Sequence, residues 1–227
     1  MRTLLKISKR RYAAMISRSL FLSPALRGGV LALLMLAASH LCAMADTTAA
    51  DTPKTLKENI ATPEVPKKYS PAIQRHMGNN ANQFARHNLE VAMHRKNEVY
   101  SIIIPCDTLF NANSGELRPR APFFLDAFKE LVRKPSSYKI LVVVYSDNTG
   151  SEQYADDLTE QRANAVADYF DGLVPGIDTN IIPYGMGSDE PRQPNTSIKN
   201  RRRNRRVEIY VVPEETVIKR ARTGTLN

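Results

Sequence analysis

Tryptophan is absent from this chain, and histidine (four residues) and cysteine (two) are scarce. His76, His87 and His94 are spaced 11 and 7 residues apart, and Cys42 and Cys106 form no Cys-x-x-Cys pair. Neither pattern matches the ligand spacing of a structural metal site, so no metal ligand and no cofactor is expected. Acidic residues are missing from the first 45 positions, which hold seven basic ones: Arg2, Lys6, Lys9, Arg10, Arg11, Arg18 and Arg27. No apolar run approaches the ~20 residues that a membrane helix usually needs. The one near the N-terminus, Val30–Ala38, stops short of His40.

A basic start, a short apolar stretch, and small residues Ala43 and Ala45 on either side of Met44 make the pattern of an export signal cut before Asp46. Residues 1–45 are therefore read as a signal peptide, with an uncleaved membrane anchor as the alternative. Lipidation at Cys42 is disfavoured, because Ser39-His40-Leu41 puts bulky residues before it. Export places the remainder in the periplasm and leaves Cys106 without a disulfide partner. Cys106 then reads as a small buried residue at a strand end. The formal charge of +9 also shrinks: without the seven leader cations the balance is 25 basic against 23 acidic residues. Nucleic acid is not expected as a partner of an exported chain. One dense cationic run remains, Lys199–Arg206, with six basic residues in eight positions.

Residues 46–97 are rich in Thr, Ala, Pro and Lys at first, then polar and helical in pattern from Ser70-Pro71 to Asn97. They read as a linker with a polar helix. The folded unit spans 98–213, and 214–227 reads as a C-terminal tail. Within the unit, "YSIIIP" is a first strand, and "APFFLDAFKELVRK" has helical apolar spacing. "KILVVVYS" is a continuous apolar run, as expected of a strand covered on both faces. Gly150-Ser151 supplies a turn and a cap for a helix that ends at Gly172. "NIIPYGMG" is an edge strand, marked by Pro183, and "RRVEIYVV" a last strand with Val207, Ile209 and Val211 on one face. The order is βαβαββ, an α+β fold.

The second helix has an apolar stripe of Tyr154, Leu158, Val166, Tyr169 and Leu173. Arg162 stands four residues from both Leu158 and Val166, so it lies inside the stripe. A guanidinium there must reach an anion, because burying an unpaired charge is costly. Asp147, at the end of the central strand, is positioned either to pair with Arg162 or to share a ligand with it. A hydrolase using Asp147 with Glu152 or Glu160 is disfavoured, since those carboxylates fall on different helix faces with no histidine beside them.

Four motifs occur in order: "LFNANSGELRP" (109–119), "YSDNTGSEQYADDLTEQRA" (145–163), "YGMGSDEPRQPN" (184–195) and "NRRVEI" (204–209). Together they resemble the OmpA C-terminal domain family of peptidoglycan-binding modules, which includes the Pal and MotB proteins. The resemblance implies a mixed four-stranded sheet with helices packed on one face. It also implies a non-catalytic pocket for the diaminopimelate of the peptidoglycan stem, in a protein associated with the cell wall or outer membrane. The family's contact positions fall on Asn113, Asp147 and Arg162, with Leu158 lining the site and Arg206 at its rim. The chain departs from the pattern at Val144, Tyr145, Ser146 and Asn200. It also has Ala155 where the family commonly has a ligand-binding Asn. "IIIPCDTLF" resembles the OmpA-like component of type IVB (Dot/Icm) secretion complexes. The alternative function is therefore a structural subunit of such a complex, with envelope proteins as partners.

Overall fold

Every residue of strand β3 (Tyr138–Tyr145) is buried, as the continuous apolar run demands. The computed structural model, which describes residues 54–86 and 89–226, shows what covers it. The expected leader, residues 1–45, and the start of the expected linker lie outside the described residues, as does His87.

The sheet has five strands in the order β1-β2-β5-β3-β4. Four of them are those expected: β2 (Val99–Pro105), β3, β4 (Ile181–Gly185) and β5 (Arg206–Pro213). β5 lies antiparallel between β2 and β3, while β4 runs parallel to β3 at the edge, where Pro183 is tolerated. The fifth strand, β1 (Glu90–His94), is an addition to the expected four. It pairs antiparallel with β2 from Glu90↔Ile103 to His94↔Val99. The turn between them places Arg95, Lys96 and Asn97 at positive φ.

The expected linker is largely folded. Helix α1 (Leu56–Ala61) opens with a capping box between Thr55 and Glu58. Helix α2 (Ser70–Ala85) ends well before Asn97, and its sparse apolar residues Ile73, Met77, Ala81 and Phe84 fall on one buried face. At roughly 1.5–3 kcal/mol for each large apolar side chain buried, that stripe anchors the helix despite its polar composition. The expected tail is also a correction. Residues Glu215–Arg222 form the last helix of the chain, with Val217, Ile218 and Ala221 buried in the main core.

That core lies between the sheet and its helices, with Ile140, Val142 and Val144 of β3 and Val207, Ile209 and Val211 of β5 pointing into it. The alternate residues Leu141, Val143, Tyr145, Tyr210 and Val212 face the other way, where Leu56 and Ile60 of α1 pack on them. Lys139 donates to the Thr62 carbonyl (2.7 Å), and Arg95 donates to the carbonyls of Ile60, Ala61 and Pro63. These bonds hold the N-terminal segment across the back of the sheet. Both faces of β3 are thereby covered.

Between β2 and β3 the chain forms α3 (Cys106–Leu109), α4 (Pro122–Leu125) and α5 (Lys129–Val132). The last two are joined by a 3₁₀ turn at Asp126–Phe128, so the single helix expected here is segmented. α6 (Glu152–Gly172) has Ser151 as its N-cap, accepting from the Tyr154 amide, and ends at Gly172 as expected. It crosses β4 so closely that a Cβ on Gly185 would lie 2.4 Å from the Glu160 nitrogen. α7 (Ile198–Asn204) precedes β5, with Ser197 as its N-cap. The helix after β5, Glu215–Arg222, is α8. Among the described residues no helix is long and apolar enough to cross a membrane.

Candidate functional site

β3 stops hydrogen bonding to β5 at Tyr145↔Arg206, and the chain turns away with the Ser146 amide donating to the Gly187 carbonyl (2.6 Å). Asp147 follows and is 3 % exposed. Its Oδ1 accepts from the Thr149 amide (2.9 Å), an Asx turn, and its Oδ2 accepts from Nη1 of Arg205 (2.5 Å). Burial alone would raise the Asp147 carboxyl. The bonds from Thr149 and the Arg205 guanidinium outweigh it and hold the group below the usual carboxylate range.

Arg162 does not pair with Asp147. It is 4 % exposed, and its Nε and Nη2 donate to the carbonyls of Ser114 (2.9 Å) and Asn111 (3.1 Å). Its guanidinium also lies 5.1 Å from the centre of the Phe110 ring. No carboxylate pairs with it among the described residues. The carbonyls belong to a small hairpin closed by the Phe110↔Leu117 bridge. Asn113 stands in this hairpin, exposed, with φ of 54°, a left-handed conformation that Asn tolerates. The hairpin sits hard against α6, since a Cβ on Gly115 would lie 2.9 Å from the Gln161 Cβ.

Cys106 joins the two halves. Its amide donates to the Arg205 carbonyl (3.0 Å), its thiol points at the Tyr145 carbonyl (3.9 Å), and the Arg162 charge is close enough to act on it. Burial pushes the thiol up to about 11, although Arg162 and Arg205 pull it down. It is protonated at neutral pH and is no nucleophile. Leu158 is buried one turn before Arg162 and belongs to neither hydrophobic cluster. Arg162 and the hairpin that carries Asn113 are thus joined directly, and Cys106 lies between Arg162 and the Arg205–Asp147 pair.

Arg206 does not join them. It faces the back of the sheet, 4 % exposed, with its guanidinium 3.7 Å from the Tyr145 ring centre and its Nε 2.5 Å from Glu208 Oε1. Its remaining donors reach the Asn204 and Glu190 carbonyls. Strand alternation gives the physical reason: Val207, Ile209 and Val211 face the helices, so Arg206 must face away. Arg205 shares the parity of Val207 and turns towards Asp147. That parity was readable in the sequence and would have selected Arg205. At Ala155, buried at 3 % exposure, there is no polar side chain to contribute.

Residues 109–205 match the OmpA family. Outer membrane protein A of Bordetella avium is 34% identical over 112 residues, which are 49% of this chain and 57% of that protein. Outer membrane protein A of Klebsiella aerogenes is 38% identical over 93 residues, 40% of this chain and 26% of the relative. The chain therefore spans little more than half of the first relative and about a quarter of the second. Among solved structures, a MotB-like protein from Desulfovibrio vulgaris aligns with a TM-score of 0.56 at 25% identity, covering 65% of this chain and 97% of that one. The match to the OmpA family covers residues 109–205, which hold the hairpin tied down by Arg162, the strands β3 and β4, and the chain up to the start of β5.

Proposed function

We propose that this domain is a non-catalytic anchor that fastens the chain, or a complex attached to it, to peptidoglycan in the periplasm. The ligand is the diaminopimelate of the stem peptide. The observation that carries this reading is Arg162, a buried guanidinium with two donors tied to loop carbonyls and no carboxylate partner among the described residues. A ligand carboxylate supplies the missing negative charge, and the planar guanidinium offers it a directed, charge-assisted contact.

Diaminopimelate carries an ammonium and a carboxylate on one carbon. The ammonium is met by Asp147, which is held ionised at neutral pH. Arg205 occupies one oxygen of Asp147, but its side chain is 31% exposed and also lies 3.8 Å from Asp107, which keeps it paired when the ammonium takes its place. Asn113 contributes amide hydrogen bonds from the apex of its hairpin, and Leu158 an apolar wall. Arg206, locked to Glu208 behind the sheet, contributes nothing directly. No step breaks a covalent bond.

A pull-down with purified diaminopimelate-type sacculi, run beside a pull-down of detergent-solubilised envelope complexes, tests this reading. Sedimentation with sacculi supports it. Recovery in a large ring complex without affinity for sacculi would replace it with the structural role of a secretion-system subunit.

A further inference from the structure

The cationic run Lys199–Arg206 is not absorbed by the wall site, apart from Arg205. α7 curls it over the end of the sheet, around a groove of about 430 Å³ floored by Ile103 and Pro105. Its walls carry Arg192, Lys199, Arg202, Arg203, Arg205 and Arg206 against a single acidic lining residue, Glu90.

Four of the six cations have a carboxylate. Arg192 meets Glu90 at 2.6 Å, Arg202 meets Asp107 at 3.1 Å, Arg205 meets Asp147 at 2.5 Å, and Arg206 meets Glu208 at 2.5 Å. Lys199 and Arg203 have none among the described residues. The Glu90 carboxyl registers the resulting field. The Arg192 hydrogen bond lowers it most, and the Arg203 and Arg206 charges lower it further. Isolated surface cations are satisfied by water. Six around one concavity repel each other, and a cleft of one sign concentrates counter-ions. Two positive charges remain unmatched, which is the charge of one phosphomonoester dianion. Guanidinium forks also match the spacing of phosphate oxygens.

We propose that this groove is a phosphate-binding site, joined to the wall site through Arg205 but separate from it. It takes a phosphate group from either a soluble molecule or a lipid headgroup at a membrane surface. The lysine and arginines line one open groove, so a phosphate on a larger body reaches them without entering the protein.

The test uses the full chain at fixed ionic strength. Inorganic phosphate is titrated by calorimetry, and sedimentation is measured with phosphatidylcholine vesicles containing phosphatidic acid, whose headgroup is a phosphomonoester, or with vesicles of phosphatidylcholine alone. Saturable binding of phosphate, or of the phosphatidic acid vesicles only, is expected, and which of the two binds identifies the source. The double variant Lys199→Gln/Arg203→Gln removes two exposed, unpaired charges and should melt like the wild type. It should bind about tenfold more weakly or worse, having lost two charge-assisted contacts, while sedimenting with sacculi as before. No saturable binding to either probe, equal binding of citrate or acetate, or an unchanged affinity of the double variant overturns the proposal. A wild-type chain that binds phosphate saturably but does not sediment with sacculi would count against the wall reading and leave the phosphate site standing.

Discussion

Arg205 donates from Nη1 to Oδ2 of Asp147 at 2.5 Å, tying the end of β3 to the residue that enters β5. The two are 58 positions apart in the chain, and the Cys106 amide bonds to the Arg205 carbonyl beside them. Substituting Arg205→Ala leaves Asp147 buried with only Thr149 to satisfy it. A loss of about 1–3 kcal/mol is expected from that desolvated carboxylate. It falls short of the value for a fully buried pair because the Arg205 side chain is 31% exposed. Chemical denaturation of Arg205→Ala, Asp147→Asn and the double variant measures it. The double variant should lose less than the two singles together, and strict additivity would show that the pair is not coupled.

Acid should weaken the same linkage in a defined window. The folded Asp147 carboxyl lies below its unfolded value of 3.8. Its contribution is therefore complete well above pH 3.8 and is lost as pH falls below that value through the folded one. The stability difference between wild type and Asp147→Asn should be flat from about pH 7 to 5 and shrink below about pH 4. A difference that closes near pH 6 would mean that another group controls the site.

Gly185 predicts a backbone effect. A Cβ there meets the Glu160 nitrogen at 2.4 Å and its Cα at 2.7 Å, and neither is a flexible side-chain end. Gly185→Ala should destabilise by about 1–3 kcal/mol through overpacking of α6 against β4. Thermal melts test this, and a variant as stable as wild type would show that the helix shifts freely.

The central elements were legible because their signals are local and strong. The β3 run is too apolar to be half-exposed, and Ser151 and Gly172 mark both ends of α6. Arg162 stood out because a guanidinium interrupts an apolar stripe. The periphery was not legible for the opposite reason. Glu90–His94 is short, sets only Val91, Ala92 and Met93 between two polar ends, and becomes a strand only through its ladder with β2. α2 buries four residues out of sixteen, and α8 buries Val217, Ile218 and Ala221 among charged ones. Such sparse faces show themselves only against the surface they pack on. The choice between Arg205 and Arg206 was available from strand parity, since the face of Val207, Ile209 and Val211 is also that of Arg205, whereas Arg206 entered as a rim residue only through the family resemblance.

Arg162 is the centre of the proposed wall site, and co-sedimentation of its variants with diaminopimelate-type sacculi tests that role most directly. Arg162→Ala should abolish sedimentation, and Arg162→Lys should abolish it too, because an ammonium cannot reproduce the planar, directed contact of a guanidinium. Both should remain folded, with melting temperatures lowered by roughly 2–4 °C for each kcal/mol lost through the Ser114 and Asn111 carbonyl bonds. Asp147→Ala should fail to sediment as well. Wild-type sedimentation that Arg162→Ala and Asp147→Ala both retain would contradict the account and leave Arg162 as no more than the tether of its hairpin.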